Sequence, residues 1–401
     1  MNTGAAVVAP AREDEPDAEH GGQCPMGGER VYLAGSEMAE RFFGAGDDEL
    51  SHAEGWDAVF GGRFGRGVLN LDGDRHRAYR QALLPLLRRS ALTAHQETIT
   101  ELLACAMRSL AVGTPVDLHV FTQTLTFRVA ARVFAGMDEH EADELLTLFG
   151  ELRTPPAGEL GTPGGNHAAR RVGRARRRVR ELLRGAVRRL EHTDGPVRRL
   201  RALPDPPPDD VIGENIAILI LAGYETTGYL SARLLWQLAR HPQEQEAVRG
   251  EPGDPATAPR LDAVFSETAR LHPPLAWLPR RARTDLGFGG TEISAGTEVF
   301  YSVSETQRDP EVFDAPHAFQ PRRFAEGERH GRFALTPFGA GRRICAGIHL
   351  GTLETKLIVS NIVRAFRLSA PEGPYIGDVS HNGSTVAPAA PLLARLDRIS
   401  G

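Results

Sequence analysis

The sequence has few cysteines, almost no lysine and no long apolar run. Its three cysteines, Cys24, Cys105 and Cys345, are too few and too irregularly spaced for a disulfide framework, which favours a reducing cytosol. Lysine occurs once, at Lys356, so 46 of the 47 basic residues are arginine, and we interpret this as the mark of a GC-rich, bacterial genome. The apolar run 216–222 is far shorter than the roughly 20 residues of a membrane span. These absences predict a soluble, cytoplasmic protein with no membrane contact.

Charge is nearly balanced, which separates this chain from the usual nucleic-acid binder. The 401 residues carry 47 basic and 52 acidic side chains, a formal charge of −5. The 41% hydrophobic and 25% charged fractions exclude a wholly disordered chain. Residues 1–28 are rich in Gly, Ala, Pro and acidic residues and lack the apolar core of a secretion signal, so we expect a disordered tail there. No linker interrupts residues 29–401, which we expect to form a single domain.

Helical periodicity dominates from about residue 37 to residue 270, and it predicts helices over 74–89, 92–111, 119–135, 139–153, 168–191 and 209–240. The longest segment, 209–240, is expected to cross the core, with Asp209 or Asp210 as its N-cap and Pro242 ending it. Short strands over 276–304, a last helix over 346–366 and short strands beyond 367 complete the pattern. The fold class is therefore mainly α with a minor β part.

One predicted helix, 168–191, is unusually rich in arginine. Apolar residues form one stripe along it, so we interpret it as a surface helix with a solvated arginine face. A membrane-binding or nucleic-acid-binding surface is the alternative interpretation.

Cys345 lies on a glycine-rich loop just before the last predicted helix. A dinucleotide-binding loop would need Gly or Ala at position 344, where Ile stands, and a βαβ unit that the pattern does not show. Small neighbours would let a flat, bulky group approach the backbone, and the helix N-terminus with Arg342 and Arg343 would favour a thiolate. A buried structural cysteine is the plain alternative. A lone thiolate is the ligand that haem iron needs for O–O cleavage.

The segment 338–347, FGAGRRICAG, resembles the haem-binding signature F-G-x-G-x-R-x-C-x-G of the cytochrome P450 family at every fixed position. The resemblance extends over roughly 30–400, although Gly351 and Thr352 stand where bacterial members often carry Ala-Arg. It implies the P450 fold, with a long central helix crossing the haem, and haem b as cofactor. Cys345 would be the iron ligand. The other haem-binding positions of the signature are Phe338, Gly339, Arg343 and Gly347.

Polar residues interrupt the middle of the long apolar helix, at Ala222-Gly-Tyr-Glu-Thr-Thr227. Threonine hydroxyls can bond back to carbonyls one turn earlier and deform a helix, while Gly223 would leave room for a ligand. The segment resembles the acid–alcohol pair of the family's central helix, which implies that Glu225 and Thr226 deliver protons to bound dioxygen. A polar kink without a catalytic role is the alternative.

Cations are expected around the haem propionates, because arginine binds a carboxylate through two hydrogen bonds. His76 and Arg80 share a helical face at i, i+4 and resemble the family's H-x-x-x-R segment. Arg281 resembles the propionate partner of the strand after the Pro-Pro pair, and Arg343 is the fourth.

Two further parts of the family pattern are present. Glu267 and Arg270, with Arg323 from the segment 319–324, resemble a buried structural Glu–Arg–Arg cluster. By analogy the substrate pocket is lined by 56–69, 154–167, Ile218, Ala222, 275–278 and the turn 380–385, with Trp277 and Leu278 adding apolar bulk.

The resemblance implies a haem-thiolate monooxygenase that activates dioxygen to hydroxylate or otherwise oxidise a small organic substrate of secondary metabolism, either free or bound to a carrier protein. Electrons would come in trans from a ferredoxin and its reductase, or from a flavin partner, docking beside Cys345. The alternatives are an atypical oxidation, such as ring coupling or desaturation, and a haem protein that binds or senses ligands without turnover.

Overall fold

The computed structural model describes residues 30–60, 66–153, 165–325, 331–373, 375–380 and 385–399. Its helices are α1 (Ser36–Gly44), α2 (His52–Phe60), α3 (Gly73–Leu83), α4 (Leu92–Arg108), α5 (Leu118–Ala135), α6 (Glu139–Arg153), α7 (Gly165–Arg189), α8 (Pro196–Arg201), α9 (Asp209–Arg240), α10 (Pro242–Gly250), α11 (Pro259–Leu271), α12 (Val303–Thr306), α13 (Arg322–Ala325) and α14 (Ile348–Ala365). Its strands are β1 (Arg30–Leu33), β2 (Leu50–Ser51), β3 (Pro115–Asp117), β4 (Trp277–Ala282), β5 (Leu286–Phe288), β6 (Thr291–Ile293), β7 (Glu298–Ser302), β8 (Phe366–Ser369), β9 (Asp378–Ser380), β10 (Val386–Pro388) and β11 (Leu393–Arg398).

Helix α9 runs through the helical core, and α5, α7 and α14 pack against it. It is apolar over most of its circumference, so burying it supplies much of the hydrophobic core. The contact with α5 is close because Gly228 has no side chain: a Cβ there would lie 2.8 Å from Thr126 Oγ1. Thr122 Oγ1 donates to the Gly228 carbonyl at 2.7 Å, which satisfies both groups inside the interface.

The strands lie beside this helical core. One sheet has the order β1-β7-β4-β2, in which β1 pairs parallel to β7 and the other pairs are antiparallel. A second sheet, β3-β11-β8, and two ribbons, β5–β6 and β9–β10, are entirely antiparallel. Strand β4 matters for the site because it follows α11 and its Leu278 lies beside the glycine-rich loop of Cys345, 4.0 Å from where a Cβ of Gly339 would be.

The mainly helical fold with a small β part is confirmed, and α9 has the predicted bounds. Two details are wrong. Pro208 is the N-cap of α9 and no side chain caps it, so Asp209 and Asp210 lie in the first helical turn. The helix predicted over 74–89 ends at Leu83, where short 3-10 turns take over. The predicted tail, 1–28, lies outside the described residues.

The arginine-rich helix α7 buries its predicted apolar stripe, including Ala175, Val179 and Leu182. On its outer face Arg178 pairs with Glu144, at 2.6 Å. Among the described residues, no helix combines the length and apolarity needed to cross a lipid bilayer.

Candidate functional site

The Cys345 loop is held in one conformation by glycine and by its own backbone. Gly339 and Gly341 have φ angles of 66° and 65°, in the left-handed region that favours glycine. A Cβ at Gly341 would lie 2.5 Å from the Phe43 carbonyl oxygen, so a side chain there would collide with α1. The Cys345 N–H donates to the Phe338 carbonyl at 2.9 Å, which closes the loop just before α14.

Cys345 is exposed, yet the surrounding protein is dense enough for desolvation to raise the pKa of its thiol. Both features fit a sulfur at the wall of a concave cleft. The backbone N–H of Gly347 and the guanidinium of Arg80 partly oppose the shift. The prediction that Arg342 and Arg343 lower this pKa is therefore wrong, since Arg80 is the cation that acts on the thiol.

Arg80 and His76 lie on α3 beside the loop. Arg80 donates to the Ile344 carbonyl at 2.5 Å, next to Cys345. His76 is buried, and desolvation together with Arg343 and Arg80 lowers its pKa to about 4. Before an anion binds beside it, the imidazole is therefore uncharged at neutral pH, and its role at a propionate stays a prediction.

Arg343 is held by two carboxylates. Its guanidinium donates to Asp47 Oδ2 at 2.9 Å and to Asp72 Oδ1 at 2.8 Å, and also to the Leu71 carbonyl. Asp72 additionally accepts hydrogen bonds from the first backbone N–H groups of α2, at His52 and Ala53. Asp47 and Asp72 thus fix the position of Arg343, and nothing in their sequence context pointed to this role.

Successive side chains of β4 point to opposite faces, so Arg280 and Arg281 have different surroundings. Arg281 donates to Glu298 Oε1 at 3.0 Å and is part of a surface ion pair. Arg280 is buried, and its pKa is lowered to about 9 by burial and by Arg343. Arg280 is therefore the arginine of β4 that lies close enough to Arg343 to be affected by its charge, while the role of Arg281 at a propionate stays a prediction.

The polar segment of α9, against which α14 packs, carries a carboxyl and a hydroxyl group. Ala222 is exposed although it lies in the middle of a buried helix, so this turn faces open space. Thr226, one turn later on the same face, donates to the Ala222 carbonyl at 2.8 Å. Glu225 is buried and accepts a hydrogen bond from Tyr224 Oη at 3.2 Å.

Gly223 does not face the cleft. A Cβ there would meet Ala130 and Phe134 of α5 at ordinary contact distances of 3.7 and 3.8 Å, so the expectation that it leaves room for a ligand is wrong. Gly351 is the glycine that permits a close approach on this side: a Cβ there would lie 3.2 Å from Thr227 Oγ1. Its small size lets α14 pack against the polar turn of α9.

The Glu–Arg–Arg cluster is present and fully buried. Arg270 donates to both oxygens of Glu267, at 2.7 and 2.9 Å, and Arg323 donates to Glu267 Oε1 at 3.2 Å. Arg270 also binds the carbonyls of Gln307, Pro316 and Ala318. All five N–H donors of Arg270 are used, and such a cluster fixes the geometry of the chain before the Cys345 loop.

These residues fit a haem. Cys345 offers one exposed sulfur, the glycine loop lets a flat ring approach the backbone, and α9 exposes Ala222 opposite. Arg80, Arg280 and Arg343 supply cations for two propionates. Within the described ranges, no three His, Cys, Asp or Glu side chains are grouped as a metal site. Cys345 would therefore be the single protein ligand of a metal that a macrocycle holds on its other sides.

A sequence profile described as "Cytochrome P450" matches residues 202–393. Among curated proteins, the chain is 32% identical to cyclooctat-9-en-7-ol 5-monooxygenase of Streptomyces melanosporofaciens, over 75% of this chain and 72% of the relative. It is 27% identical to a sterol 14alpha-demethylase of Mycobacterium bovis, over 92% of this chain and 89% of the relative.

Solved structures show the same fold. The cyanobacterial CYP120A1 bound to retinoic acid superposes with a TM-score of 0.81 at 22% identity, covering 92% of this chain and 90% of that one. A 6-coordinated cytochrome P450 from Thermus thermophilus superposes with a TM-score of 0.72 at 23% identity, covering 92% and 93%.

Proposed function

Because the chain belongs to the cytochrome P450 family and is a monooxygenase, we propose that it oxidises a small, largely apolar organic molecule at a haem b iron held by Cys345. The observation that carries this proposal is the placement of Cys345, exposed on the glycine loop with Arg80 and Arg343 beside it. When bound, the haem supplies the activation of dioxygen.

The chain's own residues prepare that chemistry from the cysteine side. The Gly347 N–H and Arg80 stabilise negative charge on the Cys345 sulfur against the burial that opposes it. Arg80, Arg280 and Arg343 would bind the propionates, and His76 would be a further hydrogen-bonding partner beside them. We add Arg280 to this set, in which Arg281 stays a prediction. Phe338 and Gly339 form the start of the loop that approaches the ring.

On the opposite side, Glu225 and Thr226 move protons. Glu225 is buried one residue from Thr226, so its carboxylate can accept a proton from water and pass it to the cleft. The Thr226 hydroxyl, which is held by the Ala222 carbonyl, is positioned to accept and donate hydrogen bonds there. Apolar neighbours on α9 keep bulk water away from this relay.

Replacing Cys345 tests the assignment directly. We expect Cys345→Ala to purify without haem, or with haem that lacks the thiolate-type ferrous–carbon monoxide band. Cys105→Ala, at the half-buried cysteine of α4, is the matched control and should keep the band. A normal thiolate band in Cys345→Ala would refute the ligand assignment.

The substrate class is inferred from the relatives and from the residues that the family resemblance places in the pocket. Cyclooctat-9-en-7-ol and sterols are largely hydrocarbon alcohols. Of the residues that the resemblance places there, Trp56 and Trp277 belong with Phe300 to one aromatic cluster. We therefore expect terpenoid or steroid-like alcohols to shift the Soret band of the ferric protein from low to high spin, saturably. No shift with any free alcohol of this class would contradict the proposal and direct the search to carrier-bound substrates.

Electrons are supplied in trans by a ferredoxin and its reductase, docking on the Cys345 side of the molecule. Arg342 is exposed there, and Arg75, Arg88 and Arg89, on α3 and in the turns that follow it, are exposed as well. Ile344, 40% exposed, gives this surface an apolar centre. Such a surface is complementary to an acidic electron-transfer protein.

A further inference from the structure

A buried ion cluster ties the β9–β10 ribbon to α9. The Arg233 side chain is fully buried, and its Nε donates to Asp378 Oδ1 at 2.9 Å. The same guanidinium donates to the Ile376 carbonyl at 2.8 Å and the Gly377 carbonyl at 2.7 Å. One arginine of the central helix therefore holds three consecutive residues that lead into β9.

His272 extends the cluster to the end of α11. Burial and Arg233 lower its pKa to about 4, so the imidazole is neutral and carries one N–H at physiological pH. Asp378 Oδ2 lies 2.9 Å from Nδ1, which places that hydrogen on Nδ1. Nε2 then accepts hydrogen bonds from the Gln237 amide, at 3.1 Å, and from the hydroxyl of Tyr375.

The β9–β10 ribbon and the chain that follows His272 are hydrogen-bonded to each other at the start of the proposed pocket wall. Val386 N donates to the Pro274 carbonyl at 3.1 Å, and Leu275 pairs with Thr385 in an isolated antiparallel bridge. Three residues beyond this bridge, Leu278 contacts the Cys345 loop: a Cβ at Gly339 would lie 4.0 Å from its Cδ1. The cluster thus fixes both sides of a bridge that leads to the site.

Stability alone does not account for such a cluster, because buried charges lose their hydration and well-packed apolar residues often stabilise a core equally well. A cluster with defined donors and acceptors supplies a single geometry instead. We propose that Arg233, Asp378 and His272 are positioning residues that set the place of the Leu275–Thr385 wall and thereby the affinity for bulky ligands. This inference rests on the proposed function, because the wall has a role only beside a haem pocket.

Two azole ligands can distinguish an effect on the pocket wall from an effect on access to the iron. Imidazole binds according to access to the iron alone, whereas econazole also fills the surrounding pocket. The ratio of the econazole Kd to the imidazole Kd therefore measures the contribution of the pocket wall to binding. We expect Asp378→Asn to raise the econazole-to-imidazole Kd ratio by about tenfold, with the thiolate carbon monoxide band retained. Tyr375→Phe removes only one hydroxyl from a side chain that is 51% exposed, so it should fold and raise the ratio by a smaller factor.

Asp262→Asn is the matched control, because it removes the carboxylate partner of the buried Lys356 far from this ribbon. We expect it to leave the ratio unchanged. An unchanged ratio in both cluster variants, or an equal rise in Asp262→Asn, would overturn the positioning role. If Asp378→Asn does not fold, Tyr375→Phe decides. A wild-type protein with no thiolate band and no azole-induced Soret shift would instead overturn the proposed function.

Discussion

Glu354 shows how far tertiary packing can move a single residue from its ordinary chemistry. It lies on α14, is 5% exposed, and its Oε1 has no hydrogen-bond partner among the described residues. Burial raises the pKa of its carboxyl to about 8, from an ordinary value of 4.5. The side chain is therefore protonated at neutral pH, which spares the core an unpaired buried charge.

This shift predicts a pH-dependent cost. The folded carboxyl keeps its proton between pH 4.5 and about 8 while the unfolded one releases it, so stability falls as pH rises through that window. At 1.36 kcal/mol per pH unit the cost reaches up to about 5 kcal/mol above pH 8. We expect Glu354→Gln to raise the unfolding free energy at pH 8 much more than at pH 5, measured by denaturant titration. Glu101→Gln, on the exposed face of α4, is the control, and an equal effect at both pH values would contradict the prediction.

At the scale of the element, α9 combines an apolar circumference with one polar turn. Most of its residues are buried and hold α5, α7 and α14 together, so the helix is a rigid support. The turn from Ala222 to Thr227 departs from that pattern only where the helix faces the cleft. Polar residues in an otherwise apolar helix are expected where a functional requirement outweighs packing.

Thr226→Ala tests that turn. We expect the variant to bind substrate normally but to lower the yield of product per NADPH by about tenfold or more, with hydrogen peroxide rising in compensation, because the proton-delivering hydroxyl is lost. The coupling ratio is measured from NADPH, product and peroxide in one assay. Thr124→Ala removes a hydroxyl with the same i−4 bond, to the Val120 carbonyl at 2.9 Å, and should change nothing. Unchanged coupling in Thr226→Ala would remove this residue from the mechanism.

At the scale of the whole molecule, the two sides of the site have different surroundings. The cysteine side ends in exposed arginines around Ile344, whereas the side of α9 is closed by apolar helices. On the proposed function, a redox partner would dock on the cysteine side.

Arg342→Glu tests the docking side. We expect the rate of reduction by an acidic ferredoxin to fall by about tenfold at low salt, since steering by complementary charge is lost. The deficit should shrink in about 0.5 M salt because screening then acts within a few ångströms. Arg174→Glu on exposed α7 reverses the same charge elsewhere and should leave the rate unchanged. Equal losses in the two variants would point to net charge rather than to a docking surface.

Much of this architecture could be predicted from the sequence, because it depends on short-range patterns. The apolar pattern and Pro242 predicted the bounds of α9, although not its N-cap, and the FGAGRRICAG segment predicted the cysteine loop, since both depend on neighbouring residues. Tertiary structure decided what depends on distant partners. Arg280 rather than Arg281 faces Arg343 because strand register chooses the face, and Asp47 and Asp72 reach Arg343 only after folding. The thiol of Cys345 and the imidazole of His76 have shifted pKa values because burial, which no local pattern encodes, acts through the whole surrounding core.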